Sequence, residues 1–83
     1  MAWYIYMLRC KDGTLYTGMT DNVGKRFAAH TAGKGAKYTR GRGPVTLVYQ
    51  QELPAKGEAL KREYQIKQLT RQQKLKLIEK GAV

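Results

Sequence analysis

Residues 4–18 read YIYMLRCKDGTLYTG, and the fold turns on how this stretch doubles back. Positions 3–10 are aromatic, β-branched or apolar up to Arg9, a strand pattern. Lys11-Asp12-Gly13 is a turn signal, because glycine takes positive φ without strain and aspartate suits turn geometry. TLYTGM at 14–19 reads as the return strand. Gly18 weakens a strand, which marks it as a point of close approach by a ligand or another backbone. Two registers are open. A two-residue loop at Asp12-Gly13 sets Lys11 against Thr14 and sends Tyr6 and Tyr16 to opposite faces of the sheet. A three-residue loop with Gly13 in a bulge sets Cys10 against Thr14, Tyr6 against Gly18 and Tyr16 against Leu8. Both phenols then share one face.

The remaining chain alternates periods. Residues 22–31 read as a helix with Asp21 or Asn22 as cap and Val23 and Phe27 as its apolar stripe. Residues 32–44, AGKGAKYTRGRGP, form a glycine-rich basic loop without an acid. VTLVYQ at 45–50 is a third strand behind Pro44. Helices follow over about 55–69 and 71–80, the second capped by Thr70. The order β-β-α-β-α-α predicts an α+β fold, a three-stranded antiparallel sheet with packed helices. At 83 residues, one domain spanning 1–83 is expected.

Sixteen Lys and Arg stand against six Asp and Glu, a net charge of +10. An excess of this size on a short chain favours an anionic partner, nucleic acid first, over a basic surface kept for solubility. Cys10 is the lone cysteine, so no internal disulfide forms, consistent with a reducing cytoplasm. Cys10 has no His or acid at a motif-like spacing and reads as a strand residue. No apolar run reaches the roughly 20 residues of a membrane span, and MAWYIYMLRC lacks the basic start and cleavage site of a signal peptide.

Three residues sit oddly. At about 100° per residue, Glu63 falls inside the apolar arc of the second helix, which Leu60, Tyr64, Ile66, Ala59 and Leu69 define, whereas Glu58 falls outside. A carboxylate turned inward needs a partner. It is either a lysine or arginine in an ion pair, or a hard cation such as Mg²⁺, which keeps waters and needs only one or two carboxylates. On the first helix, Arg26 and His30 are four apart and border the Val23–Phe27 stripe. Singly, these are a surface charge and a packed histidine. Together with Glu63 and two tyrosines they supply a phosphate clamp, a cation ligand and proton acceptors, the parts of phosphodiester hydrolysis.

The set resembles the GIY-YIG nuclease domain. Tyr4-Ile5-Tyr6 stands where that family has GIY, and Tyr16-Thr17-Gly18 where it has YIG. KRFAAH supplies Arg26 and His30, and ALKREYQIKQL places Glu63 where the family carries its metal-binding glutamate. The match spans nearly the whole chain and is most similar to small stand-alone bacterial members, the YhbQ-like proteins. Tyr4 replaces a glycine, Thr17 an isoleucine, and Met19 stands where some members carry lysine. The resemblance implies a one-metal DNA endonuclease: Glu63 holding one Mg²⁺ or Mn²⁺, Arg26 on the scissile phosphate, and Tyr6, Tyr16 or His30 taking the proton. It also implies preference for nucleic-acid structure over sequence and a link to repair or recombination. A single site built from both tyrosines requires the three-residue loop, so that register is expected.

Lys34, Lys37, Tyr38, Arg40 and Arg42 of the basic loop are expected to grip backbone phosphates, with Tyr38 stacking on a base of single-stranded or branched DNA. RNA stays open as a partner. A cytoplasmic monomer is expected. A second reading keeps the fold as a binding module without turnover, and a third makes the chain a ribosome-associated or chaperone-like basic protein.

Overall fold

The computed structural model describes residues 2–32 and 44–81. The basic-loop positions Lys34, Lys37, Tyr38, Arg40 and Arg42 lie outside the described residues. Three strands, β1 (Trp3–Arg9), β2 (Leu15–Thr20) and β3 (Thr46–Leu53), and three helices, α1 (Val23–Thr31), α2 (Lys56–Lys67) and α3 (Arg71–Lys80), follow in the order β-β-α-β-α-α. The sheet is antiparallel throughout with β1 in the middle, in the order β2-β1-β3.

The β1–β2 turn is the three-residue kind. Gly13 adopts φ 84°, the one positive φ among the described residues. The Cys10 N–H donates to the Thr14 carbonyl at 2.9 Å, and the Gly13 N–H donates to the Cys10 carbonyl at 2.9 Å. Asp12 closes the loop by accepting from the Thr14 N–H at 3.1 Å and from its hydroxyl at 2.6 Å. Tyr6 therefore pairs with Gly18 and Leu8 with Tyr16, so the two tyrosines share a face as expected. Cys10 lies just past the end of β1 and is a buried free thiol.

Because side chains alternate along a strand, β1 divides its residues between two layers. Ile5 and Met7 point to one face, where Ala59 and Ile66 of α2 cover them together with Tyr49; Leu77 and Ile78 of α3 add to this core. Ile5, Met7 and Ile66 are fully buried, and burial of side chains this size contributes about 2 kcal/mol each. Tyr6 and Leu8 point the other way, into a smaller cluster with Cys10 and Val45 that Phe27 of α1 completes. β3 runs three residues further than its apolar run suggested, to Leu53, because Gln51 and Glu52 still find ladder partners in Ile5 and Tyr4. An irregularity between Met7 and Leu8 shifts its register by one, leaving Val48 between the partners Tyr49 and Leu47.

The helix ends follow from local chemistry. The Asn22 side chain accepts from the Lys25 N–H at 3.0 Å and starts α1. Thr70 and Gln73 satisfy each other's backbone N–H groups at the start of α3, a reciprocal cap. α2 begins at Ala55 without a side-chain cap and is held by its packing on the sheet.

Candidate active site

The face of the sheet under α1 collects aromatic rings. Tyr6 on β1 is 1% exposed and His30 on α1 is 3% exposed, while Tyr16 on β2 is half-buried. Their centroids form a triangle: Tyr6 to Tyr16 6.2 Å, Tyr6 to His30 5.8 Å and Tyr16 to His30 5.3 Å, all tilted or edge-on. The Tyr6 hydroxyl and His30 Nε2 lie 2.9 Å apart in a buried hydrogen bond. Tyr6 donates when the ring proton sits on Nδ1.

Gly18 explains how the rings fit. It stands opposite Tyr6 in the ladder, and a Cβ there would lie 2.6 Å from the Tyr6 hydroxyl oxygen and 2.7 Å from Cζ. The close approach signalled by a glycine inside a strand is thus made by the Tyr6 ring itself. It lies over the Gly18 backbone with its hydroxyl turned toward α1.

Electrostatics keep this pair neutral. Burial pushes the Tyr6 phenol up to about 12, with the nearby Arg26 guanidinium drawing it partly back and Tyr16 adding to the rise. Burial first and the Arg26 charge second lower the His30 imidazole below its ordinary value, so it is unprotonated at neutral pH. Arg26 itself is on the exposed side of α1. It lines, with Lys25, Ala29, Thr20, Asp21 and Asn22, a cavity of about 260 Å³ beside the β2 edge. The site thus has a wet rim of Arg26 and Tyr16 and a dry back wall of Tyr6 and His30. Sequence reasoning passed over Lys25 and Thr20 on this rim; the one signal for Lys25 was its place beside Arg26.

Glu63 comes from the other layer. On α2 the strip that touches the sheet is Ala59 and Ile66, and Arg62 and Glu63 stand about 50° to either side of it. Arg62 marks one flank by donating to Gln51 of β3 at 3.0 Å. The opposite flank, where Glu63 sits, therefore faces the β2 edge. All six acidic residues are described, and Glu63 alone among them is not freely exposed, its side chain retaining 21% exposure. Lys67, one turn on, lies 3.6 Å from its carboxylate. The broad arc expected for α2 is narrower in fact: Leu60 and Tyr64 are 50% and 68% exposed and stand outside the core.

The structure therefore brings Tyr6, Tyr16, His30 and Arg26 into one cluster. It sets Glu63 on the far side of the β2 edge, with Lys67 as a neighbour. Among the described residues no three His, Cys, Asp or Glu side chains converge as a metal cage. A single, mostly buried carboxylate fits an ion of the Mg²⁺ type, which takes one or two protein carboxylates and fills its remaining positions with water and substrate phosphate. It does not fit a structural zinc site, which needs four protein ligands.

A β-β-α-β-α-α domain with paired tyrosines on one sheet face and an arginine on the covering helix defines a family, and this chain belongs to it: the GIY-YIG catalytic domain, a nuclease family, matches residues 2–76. Within that family the chain is similar to small proteins of the UPF0213 group. It is 60% identical to UPF0213 protein SH2523 of Staphylococcus haemolyticus over 92% of this chain and 93% of that protein. It is 59% identical to UPF0213 protein CPE1444 of Clostridium perfringens over 96% and 86%. The solution NMR structure of UPF0213 protein BH0048 from Bacillus halodurans superposes with a TM-score of 0.62 at 51% identity, covering 95% of this chain and 84% of that one. No helix among the described residues is long and apolar enough to cross a membrane.

Proposed function

We propose that the chain is a divalent-cation-dependent endonuclease that hydrolyses DNA phosphodiester bonds, selecting nucleic-acid structure over sequence and serving repair or recombination. The observation that carries this reading is the neutral Tyr6–His30 pair, hydrogen-bonded at 2.9 Å behind Tyr16 and beside Arg26.

Arg26 offers a planar, permanently charged donor set at the rim, suited to hold the scissile phosphate and to stabilise charge growing on its oxygens. Tyr16, at the border of solvent, is the phenol placed to touch the attacking water. Its ring centroid lies 6.2 Å from that of Tyr6 and 5.3 Å from that of His30. As Tyr16 accepts a proton from the water it gives its own hydroxyl proton to Tyr6, and Tyr6 passes its proton to the neutral His30 Nε2, which ends as an imidazolium. This orders the three proton-handling candidates, with Tyr16 in contact and Tyr6 and His30 positioned behind. Glu63 is the carboxylate to hold one Mg²⁺ or Mn²⁺, which when bound polarises the phosphoryl oxygen and acidifies water. The reading takes the chain to act as a cytoplasmic monomer, with Lys34, Lys37, Tyr38, Arg40 and Arg42 gripping the strand outside the reaction centre.

Cleavage assays on duplex, single-stranded and branched DNA with Mg²⁺ or Mn²⁺ test it. The parent chain cuts at least one substrate; Glu63→Gln abolishes cutting; Tyr16→Phe slows it by about 10²- to 10⁴-fold, the span of a lost general base. Tight binding with no cutting above the Glu63→Gln background reduces the chain to a binding module.

A further inference from the structure

The three large apolar side chains that stand exposed among the described residues are Leu60, Tyr64 and Leu75, and two of them adjoin on α2. Leu60 and Tyr64 are one turn apart, at 50% and 68% exposure. Neither is needed to anchor the helix, since Ala59 and Ile66 make its core contact. Lys61 and Lys67 stand three residues either side of Tyr64, so each is its neighbour on the helix surface. Glu63, the proposed cation ligand, precedes it and leans toward Lys67 at 3.6 Å. The patch is thus an aromatic ring on an aliphatic base, bracketed by two exposed cations and next in sequence to Glu63.

Charge selects what covers it. A second copy of this chain would bring its own +10 against the lysines that rim the patch. A polyanion is attracted by the same rim. A duplex keeps its bases stacked inside, and its outer surface offers phosphate to Lys61 and Lys67 but nothing to the ring. An unpaired base offers both, a phosphate for the lysines and a π-face for the tyrosine.

We propose that Tyr64 is a stacking platform for an unpaired nucleobase of the bound strand, away from the cleaved phosphate, with Leu60 beneath the ring and Lys61 and Lys67 on the flanking phosphates. The substrate strand then crosses the β2 edge from Arg26 to the outer flank of α2. This rests on the nucleic-acid reading above and narrows it to substrates with a single-stranded, looped or branched segment.

The test is equilibrium binding in EDTA, where no cutting occurs, by anisotropy of a labelled single-stranded oligodeoxynucleotide. A strand of the same length with abasic central positions is the control. Tyr64→Ala weakens binding of the base-bearing strand by about 5- to 100-fold, the range of one base–aromatic stack. Tyr64→Phe keeps the affinity, and the abasic strand binds both variants equally. The salt slope is unchanged, because no cation is removed. Tyr64→Trp, read against the Trp3 background, loses fluorescence on binding the base-bearing strand and keeps it with the abasic one. Equal affinity of the parent and Tyr64→Ala, or of the two strands, overturns the inference. So does a dimer in sedimentation that Tyr64→Ala dissolves without change in DNA affinity. DNA cutting together with Tyr64-independent binding removes the platform and leaves the nuclease. Tyr64-dependent binding without cutting in Mg²⁺ does the reverse.

Discussion

Replacing Gly18 with alanine is the sharpest probe of the site, because the added methyl has a defined collision. Its carbon would stand 2.6 Å from the Tyr6 hydroxyl oxygen, 2.7 Å from Cζ and 3.1 Å from Cε2 of Tyr16. Ordinary carbon contacts lie near about 3.5–4.0 Å, so the tip of the Tyr6 ring must retreat by roughly 1 Å. Both rings resist: Tyr6 is 1% exposed and is tied to His30 at 2.9 Å. Overpacking costs about 1–3 kcal/mol, and a hydroxyl and imidazole left unpaired in the interior add about 1–3 kcal/mol. Removing the conformational freedom of glycine returns about 0.5–1 kcal/mol. The net is a loss centred on about 3 kcal/mol, which for a domain of this size lowers Tm by on the order of 12–25 °C. Thermal and urea unfolding measure the loss. NMR titration of the imidazole measures its cause, since a displaced Tyr6 opens the pocket and lets the depressed His30 pKa climb back toward its ordinary value. A variant within about 0.5 kcal/mol of the parent, with the His30 titration unmoved, would refute the account of how Gly18, Tyr6 and His30 fit together.

Stability should fall as pH drops below about 6.5, the unfolded histidine value, because the unfolded chain takes up a proton that folded His30 refuses until its lower pKa is reached. His30→Gln should flatten that slope in urea midpoints collected across the window. At the alkaline end the sign reverses: the Tyr6 phenol, near 12 when folded, is deprotonated earlier in the unfolded chain, so stability declines above pH about 10 and Tyr6→Phe removes that component. Thr17→Val should stabilise by about 1 kcal/mol in chemical unfolding, since the Thr17 hydroxyl is buried without a hydrogen-bond partner. Thr70→Ala should cost about 1 kcal/mol by calorimetry through loss of the reciprocal cap on α3, with DNA cutting unaltered.

The parts of the fold that local chemistry dictates were readable in advance. Lys11-Asp12-Gly13 carried the turn but left two registers open; the need for Tyr6 and Tyr16 to share one site selected the three-residue loop, which the structure has. Thr70 marked its helix by local chemistry, a side chain serving backbone groups a few residues away, and of the two caps open for α1, Asp21 and Asn22, the structure uses Asn22. What depends on distant partners was less visible. Gln51 and Glu52 look like loop residues, and only pairing with β1 makes them strand. Leu60 and Tyr64 read as core because a helical wheel counts apolar residues without knowing how narrow the seat on the sheet is; Ala59 and Ile66 fill it. Glu63 is the one acid of α2 that is partly buried, as the wheel implies, but which flank of the helix it takes follows only from Arg62 holding the β3 side. Gly18 announced a close approach without saying by what, since the Tyr6 ring reaches it only across the ladder.

The alternation along β1 has a consequence for how such a chain can vary. Seven residues, Trp3–Arg9, supply the main core with the odd positions Ile5 and Met7, and the site face with the even positions Tyr6, a site residue, and Leu8, which packs beside it. Inserting or deleting one residue here exchanges the two sets, burying phenol under α2 and turning isoleucine toward α1. Architecture and chemistry are lost in the same stroke. Substitutions can tune either layer separately, whereas a change of length inside this strand disturbs both at once.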